Sequence, residues 1–272
     1  MRTIAIIPDV QAPYENPRQL KSLINFIGCW QPDEVLQIGD LADFPQPSRW
    51  NKDTRGEFEG SIYADCRHIK KNILAPLRAV YDGPVGVITG NHDARPAQYL
   101  ERHAPALSGG TNFDLDVLLD FDGHGITLRQ APYEIAPGWL AVHGHEGKGW
   151  LSPLAGRSAL RAANRLGASI VMGHVHRLAV ASETWGYQGK QHSHTGFEVG
   201  HIMDPAKASY LGGIAGNWQA GFGLLLVEGK TVTPLPIPMN KDGSFLFEGR
   251  RWSATPSTPS SIPSPRKEAP SQ

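Results

Sequence analysis

The chain has 272 residues, 40% of them hydrophobic and 19% charged, enough apolar material for one sizeable core. Its 26 basic and 26 acidic side chains cancel to a formal net charge of +0, which excludes a whole-molecule field able to hold nucleic acid or an anionic membrane. Cys29 and Cys66 lie far apart and form no Cys-x-x-Cys pair, which argues against a disulfide framework or structural zinc knot and fits a reducing cytoplasm.

In chain order, the first apolar run, Ile4 to Ile7, stops at Pro8-Asp9, too short for a signal-peptide core, and no window reaches the roughly 20 apolar residues of a membrane span. Strands are predicted over residues 3–7, 34–38, 85–89, 139–142 and 169–172. Between the first two, Asn16 as N-cap and Pro17 at the first helical position open a helix whose stripe is Leu20, Leu23, Ile24 and Ile27, with Gly28 ending it. Ile62, Cys66, Ile69, Ile73, Leu77 and Val80 recur at spacings of three and four, predicting a long amphipathic helix with Cys66 in the core. A further helix is expected to start at Ser152-Pro153, and Arg157, Arg161 and Arg165 form a basic stripe along it. The β-type runs between residues 183 and 247 predict a second sheet packed on the first. One domain is therefore expected over residues 1–252. Residues 253–272, rich in Ser, Pro and Thr, are expected to be a disordered tail.

Each of the five strands ends directly in residues of metal-ligand type. These are Asp9-Val10-Gln11, Gly39-Asp40-Leu41-Ala42-Asp43, Gly90-Asn91-His92-Asp93, His143-Gly144-His145 and Gly173-His174-Val175-His176. Carboxyl ends of strands form the ligand crevice of open α/β sheets, so the five clusters can converge. Residues i and i+2 of an extended strand end share a face, which lets Asp9 with Gln11, and His174 with His176, reach one site.

This order of blocks resembles that of the calcineurin-like metallophosphoesterases, over roughly residues 3–177. The resemblance implies an α/β fold of the two-sheet αββα type, with a dinuclear metal site at the strand ends. It also implies that one metal takes Asp9, Gln11, Asp40 and His176, and the other Asp40, Asn91, His143 and His174, with Asp40 bridging. The family has His where this chain has Gln11. An amide oxygen is a harder, neutral and weaker donor than imidazole, so Mn²⁺ is expected ahead of Zn²⁺, Fe, Ni²⁺ or Mg²⁺. Phe44 stands where protein phosphatases of the family carry Arg, which weakens that reading.

Only Asp9 and Asp40 among these ligands are anionic, about −2 against +4 for two divalent ions, so the centre stays positive and suits phosphate. Two ions about 3.5–4 Å apart can activate water near pH 7 and clamp phosphoryl oxygens. As in the family, His92 would serve the leaving oxygen, oriented by Asp43. His145 is a candidate phosphate contact, and Arg157 and Arg161 are candidate contacts to a nucleic-acid backbone. Arg49, Trp50, Lys52 and Arg55 are candidates for a substrate wall, and His192, His194 and His201 for outer groups of the site. The stretch Gly216-Asn217-Trp218-Gln219-Ala220-Gly221-Phe222 resembles phage-encoded members of the family, which would put the protein in a host cytoplasm. The expected activity is hydrolysis of phosphodiesters of DNA, RNA or nucleotides. The alternatives are a phosphomonoesterase of the same family and a catalytically silent, metal-bound scaffold.

Overall fold

The computed structural model describes residues 1–147, 149–207 and 216–255. Its strands are β1 (Arg2–Ile7), β2 (Glu34–Gln37), β3 (Val85–Ile88), β4 (Ile126–Arg129), β5 (Tyr133–Ala136), β6 (Trp139–Val142), β7 (Ser169–Met172), β8 (Leu178–Tyr187), β9 (Lys190–Val199), β10 (Gly221–Glu228), β11 (Thr231–Pro238), β12 (Phe245–Phe247) and β13 (Arg250–Trp252). The α-helices are α1 (Pro17–Trp30), α2 (Arg55–Phe58), α3 (Ile62–Ile69), α4 (Ala75–Val80), α5 (Arg95–His103), α6 (Leu115–Leu118) and α7 (Arg157–Leu166). Among the described residues no helix is long and apolar enough to cross a membrane.

Two sheets stack face to face. The first has the order β11-β10-β1-β2-β3-β4, the second β5-β6-β7-β9-β8. Alternation along β1 separates two cores: Ile4 and Ile6 face the second sheet with Leu36, Ile38 and Ile88, meeting Ile135, Trp139, Val171 and Phe197. Ala5 and Ile7 face outwards, under Leu23 and Ile27 of α1 and Ile69, Ile73 and Leu77 of the second helical stretch. The outer face of the second sheet, Val142, Ile170 and Met172, is covered by Ala159, Ala162 and Ala163 of α7. The result is the expected αββα sandwich. Sheet membership differs from the expectation: β6 and β7 lie in the second sheet, while β10 and β11 extend the first, β10 pairing antiparallel with β1. Their apolar runs look alike in sequence, and only the pairing partner distinguishes them.

Three helix boundaries also differ, each for a local reason. Asn16 does cap α1, accepting from Arg18 N and Gln19 N at 3.0 and 3.2 Å, but the helix continues through Gly28 to a left-handed cap at Gln31. Gly28 is a packing point: a Cβ there would sit 2.8 Å from the Val80 Cβ, where α1 crosses α4. The helix expected over residues 62–80 is interrupted by a five-residue π turn, Lys70–Leu74. That turn precedes Pro76, which has no N–H to continue the α ladder. Finally, α7 begins at Arg157, not at Ser152. Gly156 N and Ser158 N donate to the Glu198 carboxylate of β9 at 2.8 and 2.9 Å, so a partner distant in sequence starts the helix. At the other end of the chain, Ala254 O accepts from Asn25 Nδ2 (3.3 Å), and the remainder of the expected tail, residues 256–272, lies outside the described residues.

Candidate metal centre

The C-terminal ends of β1, β2 and β3 from one sheet, and of β6 and β7 from the other, meet at one edge of the sandwich. The loops there are held against each other by backbone bonds: Asp40 O accepts from Val10 N (3.0 Å) and Gln11 N (2.8 Å). Asp93 fixes the third loop, its two carboxylate oxygens accepting from Ala42 N and Gly90 N, both at 2.8 Å. Burial, then the nearby charge of Asp40, pushes the Asp93 carboxyl up to about 6. Gly90 is required by this closeness, since a Cβ there would lie 2.1 Å from Asp40 Oδ1.

The residues of ligand type converge. Asp40, His143 and His174 each bring a ligand atom within 4.8 Å of the others. His143 Nε2 lies 3.2 Å from Asp40 Oδ2 and 3.2 Å from Asn91 Oδ1. Its other nitrogen, Nδ1, donates to Ile38 O at 3.0 Å, which fixes the tautomer and leaves Nε2 facing the cluster. On the other side of Asp40's loop, His176 Nε2 lies 3.5 Å from Asp9 Oδ1 and 3.1 Å from Gln11 Nε2. Asp9 also accepts from His174 N, at 3.0 Å to Oδ1.

These pairs do not converge as extended strand ends. Gln11, Asp40, His174 and His176 all have left-handed backbones, with φ of 49°, 53°, 64° and 55°. Non-glycine residues seldom take this conformation, and such strain collects at functional sites. The turns send His174 towards Asp40 and His143, and His176 towards Asp9 and Gln11.

The donor set fits two cations. Gln11 Oε1 is buried without a hydrogen-bond partner, and turning the amide over places this oxygen beside His176 Nε2, which itself lies 3.5 Å from Asp9 Oδ1. Burial opposes charge on His143, but Asp40 outweighs it and raises the ring to about 10; burial and His143 push His174 down to about 4. His143 and His92 together hold Asp40 well below the usual carboxylate range despite its burial.

His92 and Asp43 stand beside this cluster. His92 Nδ1 lies 2.6 Å from Asp43 Oδ1, and His92 N donates to Asp40 Oδ1 at 2.9 Å. Burial disfavours the charged ring, yet Asp40 and the bond to Asp43 raise its pKa above the ordinary value.

His145 sits at the rim, its ring centroid 5.3 Å from His143 and 6.4 Å from His174. Arg157, Arg161 and Arg165 lie on the exposed face of α7, and Arg161 Nη1 donates to Leu151 O at 2.7 Å. None of the three lines either cleft that flanks the centre. His192 and His194 lie on β9 against Trp185, whereas His201 packs behind His176 with ring centroids 5.4 Å apart.

Three further residues border the centre without a sequence pattern that assigns them a role there. Arg95 donates through Nη1 to Asp43 O (2.6 Å) and Oδ2 (3.3 Å), and its Nη2 lies 3.1 Å from His92 Nε2. Glu146 accepts from His143 N (3.0 Å) and Gly144 N (2.6 Å), anchoring that loop. Trp218, noted only within a phage-like stretch, packs edge-on against His176 at 4.5 Å.

The chain belongs to the calcineurin-like phosphoesterase family, whose model matches residues 2–178. It is thus a metal-dependent phosphoesterase; family membership points to a dinuclear divalent-metal site, and the Asp40, His143 and His174 cluster could hold an ion of it. Among known proteins it is 46% identical to the gene 54 protein of Mycobacterium phage D29 over 252 residues, covering 92% of this chain and 98% of that one. The gene 54 protein of Mycobacterium phage L5 is 45% identical with the same coverage, in keeping with the phage-type resemblance. A solved structure of vacuolar protein sorting 29 from Cryptosporidium parvum aligns with a TM-score of 0.43 and 14% identity, covering 92% of this chain and 94% of that one.

Proposed function

We propose that the protein hydrolyses phosphodiesters of nucleic acids or nucleotides. In this reading Asp9, Gln11, Asp40 and His176 hold one divalent ion, Asp40, Asn91, His143 and His174 the other, and Mn²⁺ is the preferred metal. The observation that carries it is the convergence of these donors on both sides of Asp40, next to an imidazole already oriented by a carboxylate. Bound ions would supply Lewis-acid clamping of the phosphoryl oxygens and a nucleophilic water near neutral pH.

The chain's own part is proton delivery. In the neutral ring, Nδ1 donates to Asp43 and Nε2 accepts from Arg95. When His92 is protonated both nitrogens donate, so Arg95 Nη2 must leave Nε2 and can turn to a phosphoryl oxygen while Nη1 stays on Asp43. His92 Nε2–H then faces the leaving oxygen as general acid, and Asp43 balances the charge. A silent metal-bound scaffold has no use for this Asp43–His92–Arg95 arrangement, which favours catalysis. His145 at the rim is the proposed further phosphate contact, and Arg157 and Arg161 are proposed outer contacts for a long strand. A host cytoplasm is the proposed setting.

Turnover of bis-p-nitrophenyl phosphate against p-nitrophenyl phosphate, in excess Mn²⁺, tests the reading. Preference for the diester is expected. Robust hydrolysis of the monoester alone would reject the diesterase assignment, and no hydrolysis of either would reject catalysis.

A further inference from the structure

The larger cleft beside the centre, about 510 Å³, opens from Asn91 and His92 and is lined by the loop of residues 47–52 and by α5. That volume falls within the roughly 300–1,000 Å³ of ordinary ligand sites. Its chemistry is unlike the rest of a chain whose charges cancel. Arg49, Lys52 and Arg102 line it against a single acid, Glu57, while Arg95 is already engaged by Asp43. Each wall also pairs a cation with an aromatic face. Trp50 is 70% exposed, with the Arg49 guanidinium 4.6 Å from its ring centroid. Tyr99 and Arg102 are three residues apart on α5 and so share a face.

Cations alone would serve any phosphate. Exposed aromatic faces beside them serve a ligand that carries flat rings between its phosphates, as a single strand of nucleic acid does. A duplex hides its base faces in its own stack, and a phosphopeptide or sugar phosphate leaves Trp50 with nothing to cover it; Tyr99 already packs against His103, ring centroids 4.4 Å apart, and donates to Glu57. We infer that this cleft binds single-stranded polynucleotide, with Trp50 stacking a base and Arg49, Lys52 and Arg102 holding phosphates next to the one presented to the centre. The inference rests on the phosphodiester reading for its meaning, but strand binding can be measured without turnover.

The probe is a 5′-labelled, phosphorothioate-linked thymidine hexamer, followed by fluorescence anisotropy with the full chain in excess Mn²⁺. An abasic hexamer of the same backbone is the control. The thymidine strand should bind at least about tenfold tighter, the worth of one base–aromatic stack. Trp50→Ala, at a side chain outside the core, should bring the two probes close to equal affinity, and Trp50→Phe should restore most of the difference. The triple variant Arg49→Gln/Lys52→Gln/Arg102→Gln should reduce the log–log salt slope by about 2, from three phosphates at about 0.7 each. Equal affinity for both probes in the unmodified protein, or an unchanged preference in Trp50→Ala, overturns the stacking site, and an unchanged salt slope overturns the phosphate contacts. Strand binding without hydrolysis of any diester would sink the proposed function and leave the cleft standing. Diester hydrolysis without strand binding would do the reverse.

Discussion

Replacing Asp43 with Asn keeps the size of the side chain while removing the charge that faces His92. The bond to be weakened is 2.6 Å long, and the side chains of His92 and Asp43 are 14% and 8% exposed, so water screens it little. A hydrogen bond to a charged group contributes about 1.5–3 kcal/mol. Lost wholly in the transition state, that is a decrease in kcat of about 10- to 150-fold. The pH profile should move as well. A general acid works only while protonated, so activity falls as pH rises through the pKa of His92. Asp43 is among the groups that raise that pKa, so in Asp43→Asn the fall should begin at lower pH. Asp43 is not among the proposed ligands, so metal content should stay unchanged. The assay is kcat for bis-p-nitrophenyl phosphate from pH 5 to 10 with metal content measured in parallel. An unaltered kcat and basic limb, with metal retained, would refute the role of the pair. A loss of metal alongside activity would instead make Asp43 a prop of the centre.

Gln11→His should lower the Mn²⁺ concentration needed for half-maximal activity, because imidazole is the stronger donor; an unchanged requirement, read from a metal titration, counts against Gln11 as a ligand. Mn²⁺ uptake by the metal-free protein between pH 7 and 9 should release at least the proton of His143, held up to about 10, besides any from the activated water, whereas His174, pushed down to about 4, has none to give. Apparent affinity should therefore rise with pH over that window. Calorimetry in buffers of different ionisation enthalpy reads the proton, and heats independent of buffer would exclude it. The same raised pKa stabilises the metal-free fold below about pH 6.5, an effect lost as pH rises through about 10. Replacing Arg157, Arg161 and Arg165 together with Ala should weaken cleavage of long DNA at low salt while sparing small diesters. Equal losses on both would mean that the bond from Arg161 to Leu151 supports the fold.

The centre was legible in sequence because its residues follow directly on five apolar runs, and a run that stops at Asp9, Asp40, Asn91, His143 or His174 marks both a strand and a candidate ligand. Other features depend on neighbours that local pattern does not encode. β6 and β10 are both apolar-rich runs, and their sheet is set by pairing with β7 and β1. Arg95 reads as an ordinary first-turn residue of α5 until the fold sets it against Asp43 and His92. Glu198 looks like a strand residue, yet its carboxylate starts α7. His201 reaches the back of His176 through an isolated bridge to Asp9, a contact between residues 192 positions apart in sequence. The left-handed turns at Gln11, His174 and His176 are likewise imposed by the packed loops, since none of these residue types demands that conformation.

The proposed chemistry stands on two divalent ions held by ligands on either side of Asp40, both required for hydrolysis. Elemental analysis of the Mn²⁺-loaded chain, run together with turnover of bis-p-nitrophenyl phosphate, should find about two metal ions per chain in the unmodified protein, and in Asp40→Asn the loss of metal and activity together, because Asp40 is a proposed ligand of both ions. Full activity with no bound transition metal, or an Asp40→Asn variant that keeps both ions and turns over normally, would contradict it.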